Sequence, residues 1–103
     1  MTEHDIQSSI RLALSQHGFC VFRANVGKVK MEDGRWFDTG LPKGFSDLFA
    51  VRNGQVYFIE CKDATGRVRP DQKKFLQTMR ERYGCPAGIA RSVEDALRIV
   101  RCM

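Results

Sequence analysis

Asp47, Glu60 and Lys62 are the residues of this 103-residue chain whose types and spacing suit a single reaction. Asp47 opens the run Asp47-Leu48-Phe49-Ala50-Val51-Arg52. Glu60 and Lys62 close the run Gln55-Val56-Tyr57-Phe58-Ile59-Glu60-Cys61-Lys62. Asn53-Gly54 between two β-prone runs is the strongest short hairpin signal, because both residues tolerate the positive φ of a tight two-residue turn. Pairing outward from that turn sets Asp47 directly opposite Glu60, with both carboxylates on one face of the sheet. Lys62 lies two residues further along and shares the face. Like charges opposed in this way destabilise a ladder: at ~5 Å and an effective dielectric of ~20 they repel by roughly 3 kcal/mol. A divalent cation accounts for that cost. Two converging carboxylates suit Mg²⁺ or Mn²⁺, with water and a substrate phosphate filling the remaining positions. Lys62 supplies an ammonium that can hold an attacking water or a phosphate oxygen. The plainer reading, in which Asp47 ends a Gly-Phe-Ser-Asp turn and Glu60 and Lys62 sit on a solvated face, conflicts with the strand itself. Val56-Tyr57-Phe58-Ile59 is too apolar for a solvent-facing edge and reads as buried on both faces.

The elements that position these groups follow from periodicity. Ile6, Ile10, Ala13 and Leu14 make one stripe of a helix over residues 3–17, with Thr2 as N-cap, Asp5 as its capping-box partner and Gly18 as its stop. Phe19 to Asn25 reads as a strand. Residues 26–44 are glycine-rich, and Asp33-Gly34 marks the tip of a small hairpin between residues 29–31 and 35–37. Pro70 to Tyr83 reads as a second helix with Phe75, Leu76, Met79 and Tyr83 as its stripe. Ala87 to Arg91 is a short strand. Ser92 and Asp95 start a last helix whose inward face is Val93, Ala96, Leu97 and Val100. The core order is helix, three strands, helix, strand, helix. It predicts an α/β fold with a mixed central sheet, antiparallel at its hairpins and parallel across the crossover, flanked by helices.

Other side chains gather around this frame. Gln72 lies three, four and seven residues before Phe75, Leu76 and Met79, so it belongs to the inward face of its helix and needs a polar partner. Glu3 sits in the first turn of the first helix, where the helix dipole already favours an acid. Cys61 alternates away from Glu60 and Lys62 and is assigned to core packing. Trp36 and Phe37 are assigned to core packing as well, the alternative being a supporting strand arm. His4 and His17 are expected on the surface. Lys28, Lys30, Arg35 and Lys43 precede Asp47, Arg67 and Arg69 follow Lys62, and Lys73 and Lys74 open the second helix. All eight surround the acidic pair in sequence and could contact phosphates, whereas no base-reading motif is present.

Composition agrees. Seventeen basic residues against 12 acidic ones give +5 and a pI near 9.3, a lean toward polyanions. No apolar run approaches the ~18 residues of a membrane span. Met1-Thr2-Glu3-His4-Asp5 lacks the form of a secretory signal. Cys20, Cys61, Cys85 and Cys102 are widely spaced, which argues against zinc and, without an export signal, for reduced thiols in a cytoplasm.

Gly44-Phe45-Ser46-Asp47, Ile59-Glu60-Cys61-Lys62 and Gln72 together resemble the PD-(D/E)XK nuclease superfamily, and more narrowly its VRR-NUC (virus-type replication-repair nuclease) domain. The resemblance extends over nearly the whole chain, read as one domain over residues 1–103. It implies a restriction-endonuclease-like core (αβββαβ plus a C-terminal helix) and Mg²⁺- or Mn²⁺-dependent hydrolysis of DNA phosphodiesters. It also implies Asp47, Glu60 and the Cys61 carbonyl as metal ligands, Glu3 beside them, Lys62 on the water and Gln72 at the catalytic end. Short stand-alone members tend to come from phages and to dimerise, which points to a homodimer acting on branched, flap or junction DNA in a bacterial or phage-infected cytoplasm. Ser46 stands where the family usually has proline, and Arg69 where a Ser or Thr often caps the helix. The rival expectations are a non-catalytic nucleic-acid-binding module on the same fold and an accessory nuclease domain that needs a partner.

Overall fold

The computed structural model describes all 103 residues. Its elements are α1 (Glu3–Gln16), β1 (Cys20–Arg23), β2 (Lys28–Lys30), β3 (Trp36–Asp38), β4 (Leu48–Arg52), β5 (Gln55–Cys61), α2 (Pro70–Glu81), β6 (Ala87–Ala90) and α3 (Val93–Ile99). The main sheet has the order β1-β4-β5-β6, and β2 and β3 form a separate hairpin. β1, β4 and β5 are antiparallel, while β6 joins β5 in parallel through α2, which makes the sheet mixed as expected.

The alternation of β5 decides which helix covers which residue. Tyr57, Ile59 and Cys61 face one side with Leu48 and Ala50, and there they meet Ile6, Ile10 and Leu14 of α1 and Ala96 of α3. Fully burying a Leu- or Ile-sized side chain stabilises a fold by about 1.5–3 kcal/mol, so this side is the main core. The other side carries phenylalanines. Phe45, Phe58 and Phe75 of α2 meet with ring centroids 4.7–5.8 Å apart, and Phe49 stacks on Phe22 at 4.9 Å. Glu60 lies on this phenylalanine side, at the end of β5 where burial is complete.

Two local devices fix the end of the sheet that carries Asp47 and Glu60. Thr2 Oγ1 accepts from the Asp5 N–H and Asp5 Oδ2 accepts from the Thr2 N–H, each at 3.1 Å, which anchors the start of α1 and hence Glu3. Gly44 adopts φ +96° and packs its α-carbon against the first turn of α2, where an added Cβ would lie 2.6 Å from the Asp71 carbonyl oxygen. Only glycine fits there. At the opposite end, Asn53 and Gly54 take φ of 52° and 77° and close the β4–β5 hairpin in the expected register, Arg52 against Gln55.

Three packing expectations are corrected. Trp36 and Phe37 are not core: they are 64% and 57% exposed, because the β2–β3 hairpin projects from the body and pairs only with itself. Tyr83 is 61% exposed, since α2 ends at Glu81 before another turn could carry the stripe that far.

Candidate active site

The ladder that pairs Leu48 with Ile59 places Asp47 opposite Glu60, one step beyond the end of β4. Asp47 is held on both sides. Its carbonyl accepts from the Ala24 N–H at 2.8 Å, prolonging the β1–β4 pairing, and its Oδ2 accepts from the Cys61 N–H at 2.9 Å. Ser46, fully buried, donates its hydroxyl to the Leu48 carbonyl at 2.9 Å and so shapes the turn into Asp47 without proline.

Glu60 is 1% exposed and receives donors on both oxygens: the Asp47 N–H on Oε1 at 3.2 Å and Gln72 Nε2 on Oε2 at 2.9 Å. Lys62 Nζ lies 3.7 Å from the same Oε2, with its side chain 9% exposed. Burial, and then the neighbouring Asp47 carboxylate, push the Glu60 pKa up to about 8, with Lys62 opposing the shift. Gln72 also accepts the Arg69 N–H through Oε1 at 3.0 Å. That bond closes the N-terminus of α2, which Arg69 has no side-chain acceptor to cap. One amide thus ties the helix start to the buried carboxylate.

Glu3, Asp47 and Glu60 each offer a carboxylate oxygen within 4.8 Å of the others. All donors are hard oxygens, the ligand set of Mg²⁺ or Mn²⁺ rather than of a thiolate-loving metal. Three carboxylates converge there on one point, so the residues present fit a divalent cation. Cys61 meets the cluster through the N–H that it donates to Asp47; its thiol is fully buried in the α1–α3 core, where burial holds it protonated.

The structure therefore brings together Glu3, Asp47, Glu60, Lys62 and Gln72. The basic residues are all exposed but are distributed. Lys28, Lys30 and Arg35 lie on the β2–β3 hairpin, and Arg35 is already paired with Asp33 at 2.7 Å. Lys43 and Lys74 line one shallow pocket beside Asp71 and Phe75, and Arg69 holds Asp71 at 3.2 Å. Arg67 and Lys73 flank the same helix start.

One group of residues lay outside the sequence reading. After Lys62 the chain folds back on itself: Asp63 Oδ1 accepts from the Thr65 N–H at 3.1 Å and the Gly66 N–H at 2.6 Å. A Cβ on Gly66 would be 3.4 Å from Lys62 Cδ, so this turn forms the wall against which the lysine stem lies. Arg91 Nη1 donates to the Asp63 carbonyl and holds the turn from the end of β6. Asp-x-x-Gly directly after Lys62 is a recognisable Asx-turn signal. The Arg91 bond, spanning 28 positions, has no local signature.

A mixed sheet between helices, with a carboxylate cluster at one end, defines a restriction-endonuclease-like α/β protein. The family model described as "VRR-NUC domain" matches residues 1–94, and the chain belongs to that family of nuclease-type domains. A solved structure titled "VRR_NUC domain" matches with a TM-score of 0.68 at 19% identity, covering 98% of this chain and 97% of that one, a likeness of fold. No curated protein matches the sequence.

Proposed function

We propose that this protein is a metal-dependent DNA endonuclease that hydrolyses phosphodiester bonds, with branched, flap or junction DNA as its substrate class. The observation that supports the reading most is Glu60. A carboxylate 1% exposed, facing Asp47 and raised to a pKa of about 8, is costly to fold and is compensated when a cation neutralises it. Asp47 and Glu60 are the principal ligands of Mg²⁺ or Mn²⁺, with Glu3 and the Cys61 carbonyl as further ones. The cation, when bound, supplies Lewis-acid charge to a phosphoryl oxygen.

The remaining work belongs to the chain's own side chains. Gln72 holds the Glu60 carboxylate in one orientation. Lys62, held by Glu60 and by the turn behind it, donates an N–H to the attacking water or to a non-bridging phosphate oxygen. The water oxygen bonds to phosphorus as the bond from phosphorus to the 3′ oxygen breaks, and one proton of that water ends on the departing 3′ oxygen, giving 5′-phosphate and 3′-hydroxyl ends. Exposed lysines and arginines hold flanking phosphates. The protein acts as a homodimer, so that two such sites can address two strands of a branch, in the cytoplasm of a bacterial or phage-infected cell.

The test is cleavage of four-way-junction, flap and linear duplex DNA in Mg²⁺, Mn²⁺ or EDTA, beside Glu60→Ala and Lys62→Ala. Cutting by the wild type alone, abolished by EDTA, is expected. Cutting that survives EDTA, or that Glu60→Ala retains, sinks the mechanism. Binding to these DNAs without cutting any of them favours a non-catalytic binding module.

A further inference from the structure

The β2–β3 hairpin is the largest feature that the proposed chemistry leaves unused. Every residue from Lys28 to Asp38 is exposed, so neither face of this hairpin rests on the body. Such an arm normally carries polar residues, yet this one holds Trp36 at 64%, Phe37 at 57%, Met31 at 46% and Val29 at 43% exposure. Large apolar side chains left in water mark a surface with a partner.

The register sorts them. Lys30 pairs with Trp36 and Lys28 with Asp38, so both lysines share a face with the indole. Val29 pairs with Phe37 and lies on the reverse face. Neither lysine is in an ion pair, whereas Arg35 is held by Asp33 and Asp38 Oδ1 accepts the Gly40 N–H at 2.8 Å. Asp38 shares this face opposite Lys28, so beside Trp36 two ammonium groups outside any ion pair stand against one carboxylate. The arm is also rooted at the acidic cluster. Ala24, just before the hairpin, donates its N–H to the Asp47 carbonyl at 2.8 Å, and the returning strand leads through Gly44 into Asp47 itself.

We infer that the β2–β3 hairpin is a wedge for branched DNA: Trp36 stacks on the base exposed at a strand junction while Lys28 and Lys30 hold the adjoining phosphates. This rests on DNA being the substrate. An aromatic ring flanked by cations matches an unstacked base flanked by phosphates, and stacking of this kind tolerates any sequence. Apolar groups on both faces suit insertion between base steps, where each face meets a base. A flat protein partner would cover one face. The wedge would give the enzyme its preference for branch points, since a continuous duplex presents no free base face to Trp36.

Trp36 is the chain's single tryptophan, so its emission reports directly on the stacking. In EDTA, saturating the protein with flap or four-way-junction DNA is expected to quench that emission strongly, and linear duplex of equal length much less. Trp36→Ala is expected to weaken binding of fluorescein-labelled flap DNA by about tenfold, and of linear duplex by less than about twofold, with Trp36→Phe retaining most of the preference. The side chain is exposed, so the variants should keep the wild-type circular dichroism. Emission unmoved at saturation, or Trp36→Ala binding every DNA like wild type, overturns the wedge. So does conversion of a dimer to a monomer by Trp36→Ala with equal loss on branched and linear DNA, which would make the arm an interface between copies. These readouts need no cleavage. A protein that shows the quench yet never cuts in Mg²⁺ or Mn²⁺ refutes the endonuclease proposal and leaves the wedge standing, while full cutting without the quench does the reverse.

Discussion

Glu60 makes the metal-free protein pH-sensitive. Its carboxyl moves from an ordinary 4.5 to about 8 in the fold, through burial first and the Asp47 charge second. Between those values the folded chain holds a proton that the unfolded chain has released, so unfolding free energy falls as pH rises through that window. In EDTA the wild type should melt at progressively lower temperature from about pH 5 to about pH 8, and Glu60→Gln should flatten most of that decline. An equal decline in the variant would place the effect elsewhere. Added Mn²⁺ should raise the melting temperature of wild type and not of Asp47→Ala, because a ligand stabilises only the state that binds it. Gln72 is the neighbouring case. Gln72→Leu strips a donor from the buried Glu60 carboxylate, at about 1–3 kcal/mol, and an acceptor from the part-buried Arg69 N–H, which water satisfies at less cost. Urea denaturation at neutral pH should show that loss; a change under about 0.5 kcal/mol would mean that water replaces the amide. The sequence placed Gln72 on an inward face and required a partner for it. It could not say which partner, since that depends on how α2 rotates over the sheet.

At the scale of elements, what could be read depended on how local the determinant was. Asn53-Gly54 fixes the β4–β5 register within a few residues, and from that register the Asp47–Glu60 opposition follows. The β2–β3 hairpin had an equally local tip, so its existence was legible. Its burial was not, because Trp36 and Phe37 have core-like chemistry and nothing nearby states that no helix covers them. Gly44 shows the reverse limit. It reads as one loop glycine among several, and its requirement appears only where the turn before Asp47 meets the first turn of α2. Gly44→Ala must either strain φ +96° or push the Asp71 carbonyl away, and either displaces the loop that delivers Asp47. A loss of about 2 kcal/mol or more in urea is expected, as for other steric misfits at special backbone positions, with DNA cleavage falling further than stability alone explains. Wild-type stability in Gly44→Ala would show that the two segments can part freely.

For the whole molecule the net +5 divides unevenly. Glu3, Asp47, Glu60 and Lys62 carry a formal −2 with Glu60 ionised, so the remaining residues carry a formal +7. The acidic centre attracts a cation and the basic remainder attracts phosphate, but the remainder is spread over the surface and only part of it can face one DNA. Lys28 and Lys30 on the hairpin lead back to Asp47, whereas Arg101 lines a pocket at the opposite end of β6, beside Ala87 and Arg80. Removing one cation that neutralises a phosphate lowers the magnitude of the log–log salt slope by about 0.9 on duplex DNA. Lys28→Ala with Lys30→Ala should therefore lower the slope by about 1.8 if both lysines meet phosphates, and Arg101→Ala should leave it unchanged. Affinities measured in EDTA across a salt series separate the two cases. An equal change from Arg101→Ala would mean that DNA runs past both ends of the sheet, and the positive charge would then act as a diffuse field rather than as a track leading to the carboxylates.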